Sequence, residues 1–112
     1  MKKFLIAAKG DRAKWDATSE ADWEKVMNDF GAWLAPLKAK NAYDGCHRLT
    51  GRGGWVKKTG GALTDGPFVE TKELLTGIFF IRAENMDEAM AIARDCPCLF
   101  LDSVEVHEVE GA

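Results

Sequence analysis

The segment Leu63–Ile81, LTDGPFVETKELLTGIFFI, decides the fold because it ends in a strand that is apolar on both faces. Residues 77–83 predict this strand, and its large side chains alternate between two apolar sets, Ile78 with Phe80 and Phe79 with Ile81. A strand of this kind is typical of the interior of a sheet that is covered on both sides. We therefore expect both faces of the strand at residues 77–83 to be buried.

Residues 2–8 predict a second two-faced strand, followed by a polar loop over residues 9–18. Ser19 with Asp22 forms a weak capping box, which predicts the start of a helix that runs to about Asn41. Pro36 is expected to kink or loosen that helix near its end. Its apolar residues recur at steps of three and four and predict one buried stripe, comprising Trp23, Val26, Met27, Phe30, Leu34 and Leu37.

The second half of the chain predicts further strands and one more helix. Residues 42–49 and 54–59 read as a glycine-rich hairpin around Thr50-Gly51-Arg52-Gly53. Asn85, with Glu88 three positions on, predicts a shorter helix that ends before Pro97. A last strand is predicted at residues 103–109.

The resulting order, β-α-β-β-β-α-β, predicts an α+β fold of the ferredoxin-like type, with an antiparallel sheet and two helices on one face. At 112 residues, the chain is expected to form one domain, 1–112. Two helices cover only one side of such a sheet, yet residues 2–8 and 77–83 are apolar on both sides. We therefore expect a homodimer that packs through the open sheet face.

Composition excludes several classes of function. The content of 46% hydrophobic and 29% charged residues is typical of a globular protein, and the net charge of −3 argues against a nucleic-acid partner. No segment predicts a membrane span or a secretory signal, so a cytoplasmic location is expected. The three cysteines favour reduced thiols. Cys96-Pro97-Cys98 lacks the further ligands of a zinc site and is read as a helix end closed by proline, so no metal is expected.

Residues 64–73, TDGPFVETKE, followed by Leu75 and Gly77, resemble the signature of DGPF-domain proteins, a branch of the YCII-related family. The resemblance extends through Asp87-Glu88-Ala89 and Cys96-Pro97 to Ser103-Val104-Glu105-Val106. It implies a member of the dimeric α+β barrel superfamily, whose relatives include isomerases, lyases and monooxygenases acting on small organic molecules. Many DGPF proteins are encoded beside extracytoplasmic-function sigma factors. The family's histidine and aspartate pair is not carried over, because that histidine lies on the first helix and this chain has only His47 and His107.

Asp65 is the candidate catalytic residue within the motif formed by Asp65, Gly66, Pro67 and Phe68. An aspartate before Gly-Pro readily bonds its own backbone as an Asx-turn, which is a purely architectural role. As a general acid or base it would need a pKa shifted toward neutrality by burial. Both roles are compatible, because turn hydrogen bonds would also orient the carboxylate.

Four further residues are candidates for contact with a small-molecule ligand. Lys72 or Arg48 would attract an anionic substrate, although most charge runs are solvated surface pairs. His47 is a candidate proton carrier, but strand alternation sends it and Arg48 to opposite faces, so at most one of them enters a given cleft. Trp55 precedes the DGPF loop and would form an aromatic wall, although hairpin packing or a dimer contact is the alternative.

Three hypotheses follow. The first is a cofactor-free lyase or isomerase that acts on a small cyclic or anionic substrate, which rests mainly on analogy. The second is a non-catalytic binding or regulatory module associated with sigma-factor signalling, favoured by the missing histidine. The third is a dimer in which the DGPF loop is only architectural.

Overall fold

The computed structural model describes residues 1–59, 62–67 and 73–111, with the backbone alone at 55, 57, 59, 62–67 and 73. In chain order the elements are β1 (Lys2–Asp11), α1 (Arg12–Ala17), α2 (Glu20–Ala39), β2 (Tyr43–Arg48), β3 (Gly54–Thr59), β4 (Ala62–Pro67), β5 (Glu73–Ala83), α3 (Met86–Arg94), a 3-10 helix (Pro97–Phe100) and β6 (Asp102–Glu108).

Four of the strands form an antiparallel sheet in the order β2-β5-β1-β6. The two strands whose residues are apolar on both faces, β1 and β5, lie side by side at its centre, with Phe4 opposite Ile81 and Ile6 opposite Phe79. This arrangement is the ferredoxin-like one, and the expected fold class is confirmed. Strands that are apolar on both faces need burial on both sides, and a central position in the sheet meets this need.

The core lies between one face of this sheet and the helices α2 and α3. Its buried residues come from both layers: Phe4, Ile6 and Ala8 on β1, Phe79, Ile81 and Ala83 on β5, Phe30, Leu34 and Leu37 on α2, and Ala89 and Ala93 on α3. The indole Nε1 of Trp33 donates to the carbonyl of Ile92 at 3.1 Å and so ties the two helices together. Small residues on α3 let it approach the sheet closely.

Both predicted capping signals are present. The Ser19 hydroxyl accepts from the backbone N–H of Asp22 at 3.1 Å, and the Asn85 side chain accepts from that of Glu88 at 2.9 Å. Each satisfies an N–H group that the first turn of a helix leaves without a partner. The helix α2 then continues through Pro36 to Ala39 as one element.

The expected polar loop at residues 9–18 is wrong. The strand β1 continues to Asp11 because Lys9 and Gly10 still pair with both β5 and β6. The carboxylate of Asp11 then accepts from the backbone N–H of Lys14 at 3.1 Å and caps the short helix α1. The chain therefore turns from strand to helix at Asp11.

The expected hairpin between residues 42–49 and 54–59 is also wrong. The strand β2 pairs with β5, whereas β3 pairs with β4 in a separate two-stranded sheet, with Thr59 opposite Ala62. The long strand β5 needs a partner on each edge, and β2 supplies one of them. Asp65-Gly66-Pro67 forms the end of β4 and not the expected turn, with Asp65 opposite Val56.

The second face of the four-stranded sheet carries no helix among the described residues. Alternation along β1 and β5 places Leu5, Ala7, Ile78 and Phe80 on this face, and we call these four residues the open-face patch. The ammonium of Lys3 lies 4.8 Å from the centroid of the Phe80 ring, and Lys9 pairs with Glu105 at 2.7 Å. None of the helices in the described ranges is long and apolar enough to cross a membrane.

Candidate functional site

A cavity of about 70 Å³, partly open to solvent, lies between the first half of α2 and the end of the sheet where β2 and β5 meet. Its walls are almost entirely apolar. One water needs roughly 10–15 Å³ of such space, so the cavity holds several waters or one small organic group. The cavity is therefore the concave apolar site that a small-molecule ligand would use.

The floor of the cavity lies at an irregularity in the sheet. The register of β1 against β5 shifts between Ala8 and Lys9, and Thr76 lies opposite this shift. The hydroxyl of Thr76, which is buried, donates to the carbonyl of Ala8 at 3.1 Å. This bond satisfies a polar group inside an apolar wall, and such bulges are frequent beside functional sites.

Aromatic rings from three separate elements form the outer wall. Trp15 on α1 meets Trp23 on α2 edge to face at 5.1 Å between centroids, and Trp23 meets Phe100 of the 3-10 helix at 5.6 Å. Edge-to-face packing holds such rings in fixed orientations. The unexpected helix α1 is what brings Trp15 to this wall.

Arg48, at the end of β2, borders the same cavity. Its guanidinium carbon lies 4.8 Å from the centroid of the Trp23 ring and 5.8 Å from that of Trp15. None of the carboxylates in the described ranges forms an ion pair with it. The guanidinium is thus held against aromatic faces by cation–π attraction, and none of the hydrogen bonds between described side chains uses its N–H groups, which are the kind of donor that binds an anion.

His47 also borders the cavity. Cys46 packs against the core on the helix side of the sheet, and Arg48 meets the tryptophans on that same side. Strand alternation therefore directs the exposed side chain of His47 to the opposite face. Of the two neighbours, Arg48 is the one whose charge reaches the site.

The remaining candidates lie on or beside the two-stranded sheet. Trp55 and Asp65 have described backbones, on β3 and β4, whereas Phe68 and Lys72 lie outside the described residues. The side chains of Trp55 and Asp65 also lie outside them. The roles of Trp55 as an aromatic wall and of Asp65 as a general acid or base stay predictions. So do those of Phe68 as a motif residue and of Lys72 as an anion anchor.

Two of the three cysteines line the cavity. Cys46 and Cys98 border it, and Cys96 is buried with 3% of its surface exposed. A hydrogen bond from the Cys96 thiol lowers the pKa of Cys98, and donating that bond in a buried setting raises the pKa of Cys96. Burial raises the pKa of Cys46. Within the described ranges, no three His, Cys, Asp or Glu side chains are placed to share a metal ion.

The sequence placed Trp23 and Met27 in a closed core, and this is wrong. The stripe is buried at Phe30, Leu34 and Leu37, whereas Trp23 is half-buried and Met27 is 47% exposed, both bordering the cavity. The pattern gives the face of a helix and does not tell whether that face meets packed side chains or an opening. The feature of the sequence that could have indicated the opening is Trp23 at the start of the stripe, with Trp15 shortly before it.

Comparisons with known proteins agree with this architecture. The family model described as "YCII-related domain" matches residues 3–111. An uncharacterised protein of Rhizobium meliloti (strain 1021) is 30% identical over 96 residues, which cover 82% of this chain and 77% of that protein. Among solved structures, 5-chloro-2-hydroxyhydroquinone dehydrochlorinase from Burkholderia phenoliruptrix AC1100, in complex with 2,5-dihydroxybenzoquinone, superposes with a TM-score of 0.60. That match covers 98% of this chain and 95% of the other at 18% identity, and it shows a shared fold.

Proposed function

The chain belongs to the YCII-related family, and from that premise we propose that it is an enzyme that binds a small, cyclic organic anion in the cavity between α2 and the sheet. The observation that carries this proposal is the position of Arg48, whose guanidinium lies over Trp23 at the edge of an apolar cavity. A cation beside apolar aromatic walls suits a ligand with one flat apolar part and one anionic group.

The aromatic wall supports a planar ligand over a flexible aliphatic one. Trp15, Trp23 and Phe100 are held edge to face, so their exposed ring surfaces are fixed before a ligand arrives. A ligand that stacks on fixed rings loses less conformational entropy than one that must order its own chain and its site. The solved structural relative was captured with a quinone, which is a planar ring.

For the reaction we propose a cofactor-free lyase or isomerase step that moves a proton. Asp65 is assigned the role of general base or acid, Lys72 that of a second anion anchor, and Trp55 that of an additional aromatic contact. The support is the DGPF motif and the name of the structural relative, a dehydrochlorinase. An Asp65→Asn variant that keeps full turnover would remove Asp65 from the reaction.

We further propose that residues 1–112 act as a single domain in a cytoplasmic homodimer that packs through the open-face patch. The patch consists of partly or fully covered apolar side chains on β1 and β5, bordered by ion pairs such as Lys9 with Glu105. An apolar centre with a charged rim is the usual composition of a protein interface.

A thermal-shift screen tests the ligand class. Benzoates, phenolates and lactones are expected to raise the melting temperature in proportion to their affinity, because a ligand that binds only the native state stabilises it by mass action. Each anion is paired with its neutral amide or ether, which should shift the melting temperature less. Equal shifts for both members of every pair would contradict the role of Arg48, and turnover of any hit is then followed by product analysis.

One observation favours a second function. Neither α1 nor α2 contains a histidine, so the chain lacks the proton carrier that the family places on its first helix. A binding or regulatory module associated with sigma-factor signalling needs no such residue. Ligands that bind tightly and are recovered unchanged, with the Asp65→Asn variant binding equally well, would favour this function over catalysis.

A further inference from the structure

Two of the three cysteines, Cys46 and Cys98, border the cavity although they are distant in the sequence, and the third, Cys96, is buried two residues before Cys98. Cys46 lies on β2, Cys96 follows α3, and Cys98 lies in the 3-10 helix. Burial and then the charge of Cys98 raise the pKa of Cys46, and a hydrogen bond to the Cys98 side chain raises the pKa of Cys96. The fold therefore places two thiols in the wall of a ligand-sized cavity.

The three thiols differ in access. Cys96 is buried, with 3% of its surface exposed. Cys46 and Cys98 are partly exposed, and both border the cavity. A molecule inside the cavity thus meets the side chains of two cysteines.

We propose that Cys98 is a covalent capture site for planar, electron-poor unsaturated carbonyl compounds, of which benzoquinone is the simplest. Thiolates are soft nucleophiles that add to polarised carbon–carbon double bonds, and the aromatic walls admit a flat ring. The capture rests on the same cavity being open to a planar ligand, which the proposed function also requires. It does not depend on Asp65 or on any turnover.

The addition needs no oxidant or reductant beyond the quinone. The Cys98 Sγ thiolate attacks a ring carbon, one sulfur–carbon bond forms, and the electron pair of the ring double bond moves to the far carbonyl oxygen. That oxygen takes up the proton lost from the thiol, and the ring proton at the attacked carbon moves to the second oxygen. The product is a hydroquinone thioether, in which every atom of thiol and quinone is retained.

Two neighbours assist this step. The Cys96 thiol donates its hydrogen bond to the Cys98 sulfur and so favours the thiolate, which is the reactive form. Arg48 borders the same cavity and offers N–H groups to the oxyanion that develops on the ring. The Tyr43 hydroxyl also donates a hydrogen bond to Cys46, but burial outweighs it, raises the pKa of Cys46 and so disfavours its thiolate. Selective reaction at Cys98 follows.

Intact-protein mass spectrometry with one equivalent of 1,4-benzoquinone tests the proposal. We expect one adduct with the full mass of the quinone, mapped by peptide analysis to Cys98. The Cys46→Ser variant should still give the adduct at Cys98, whereas Cys98→Ser should lose on the order of tenfold or more in rate at neutral pH, because the remaining thiols are mostly protonated. Far-UV circular dichroism verifies that each variant is folded, with Cys98→Ala as the second variant.

Three outcomes would overturn the proposal: an adduct mapped chiefly to Cys46, equal rates for Cys98 in folded and urea-unfolded protein, or a disulfide with no quinone retained. The proposed function is tested separately, by measuring whether benzoates raise the melting temperature. Capture at Cys98 without any such shift would contradict the anion site alone, and a shift without capture would contradict Cys98 alone.

Discussion

The guanidinium carbon of Arg48 lies 4.8 Å from the centroid of the Trp23 ring, so a charge at the end of β2 is held against the beginning of α2. A cation over an exposed indole contributes about 0.5–1 kcal/mol, enough to orient a long side chain but too little to define a fold. Arg48 and the half-buried Trp23 both border the cavity. The main consequence of the contact between Arg48 and Trp23 is that a cation is oriented at the rim of an apolar site.

The first prediction concerns Arg48. An Arg48→Gln change should weaken binding of an aromatic carboxylate by on the order of tenfold or more, since hydrogen bonds to charged groups contribute about 1.5–3 kcal/mol. Isothermal titration calorimetry measures the loss. The matched control is Arg94→Gln, at the exposed end of α3, which should leave affinity unchanged. An equal loss for the neutral amide of the same ligand would show that packing and not charge was removed.

The second prediction compares two glycines. A Cβ at Gly10 would lie 2.8 Å from the Cβ of Leu101, which borders the cavity, whereas a Cβ at Gly31 on α2 meets nothing within 4 Å. Gly10→Ala should lower the free energy of unfolding by about 1–3 kcal/mol, because overpacking forces neighbours apart. Gly31→Ala should raise it by about 0.4–1 kcal/mol through the lost freedom of the unfolded chain. Urea unfolding gives both values, and shifts of the same sign would contradict the packing described for Gly10.

Local signals explain what the sequence could predict of the fold. The caps at Ser19 and Asn85 depend on side chains three residues from their partners, so the pattern carries the whole interaction. The strands β1 and β5 can be recognised because each one carries apolar residues on both faces, and this pattern does not depend on the rest of the chain. The ferredoxin-like order then follows from the few topologies that such elements allow.

Pairing between strands is where the sequence was insufficient. Glycines flank residues 54–59 on both sides, so turn chemistry allows that strand to pair with either neighbour. The strand β3 pairs with β4 and not with β2, because β2 is the edge partner of β5. The cavity could not be predicted for a similar reason. It is lined by Trp15, Cys46 and Cys98, which come together only when α1, β2 and the 3-10 helix pack in the folded protein.

The third prediction concerns pH. The ammonium of Lys9 hydrogen-bonds Glu105 at 2.7 Å, and this bond, with the Lys9 charge and a smaller effect of His107, holds the pKa of Glu105 below its ordinary value of 4.5. A carboxyl with a lowered pKa stabilises the fold above the ordinary value, and that contribution is lost as pH falls through the folded-state pKa.

Stability measured by urea unfolding should therefore lose part of its acid dependence in Glu105→Gln. The effect is expected to be small because Glu105 is exposed to solvent, and high salt should reduce it further. The control is Glu84→Gln, at an exposed position after β5. An NMR titration of Glu105 that gave an ordinary or raised pKa would contradict the ion pair.

The fourth prediction concerns the open-face patch. If a second copy covers it, wild-type protein should sediment as a dimer at micromolar concentration, since stable interfaces bury about 800 Å² on each partner. Phe80→Glu should convert it to a monomer, because a two-fold axis brings the new carboxylates near each other in an apolar interface. Met90→Glu, an apolar-to-acid change at a site on α3 that is 38% exposed, should remain dimeric. A wild-type monomer, or a Phe80→Glu dimer with unchanged dissociation constant, would show that the patch is not the interface.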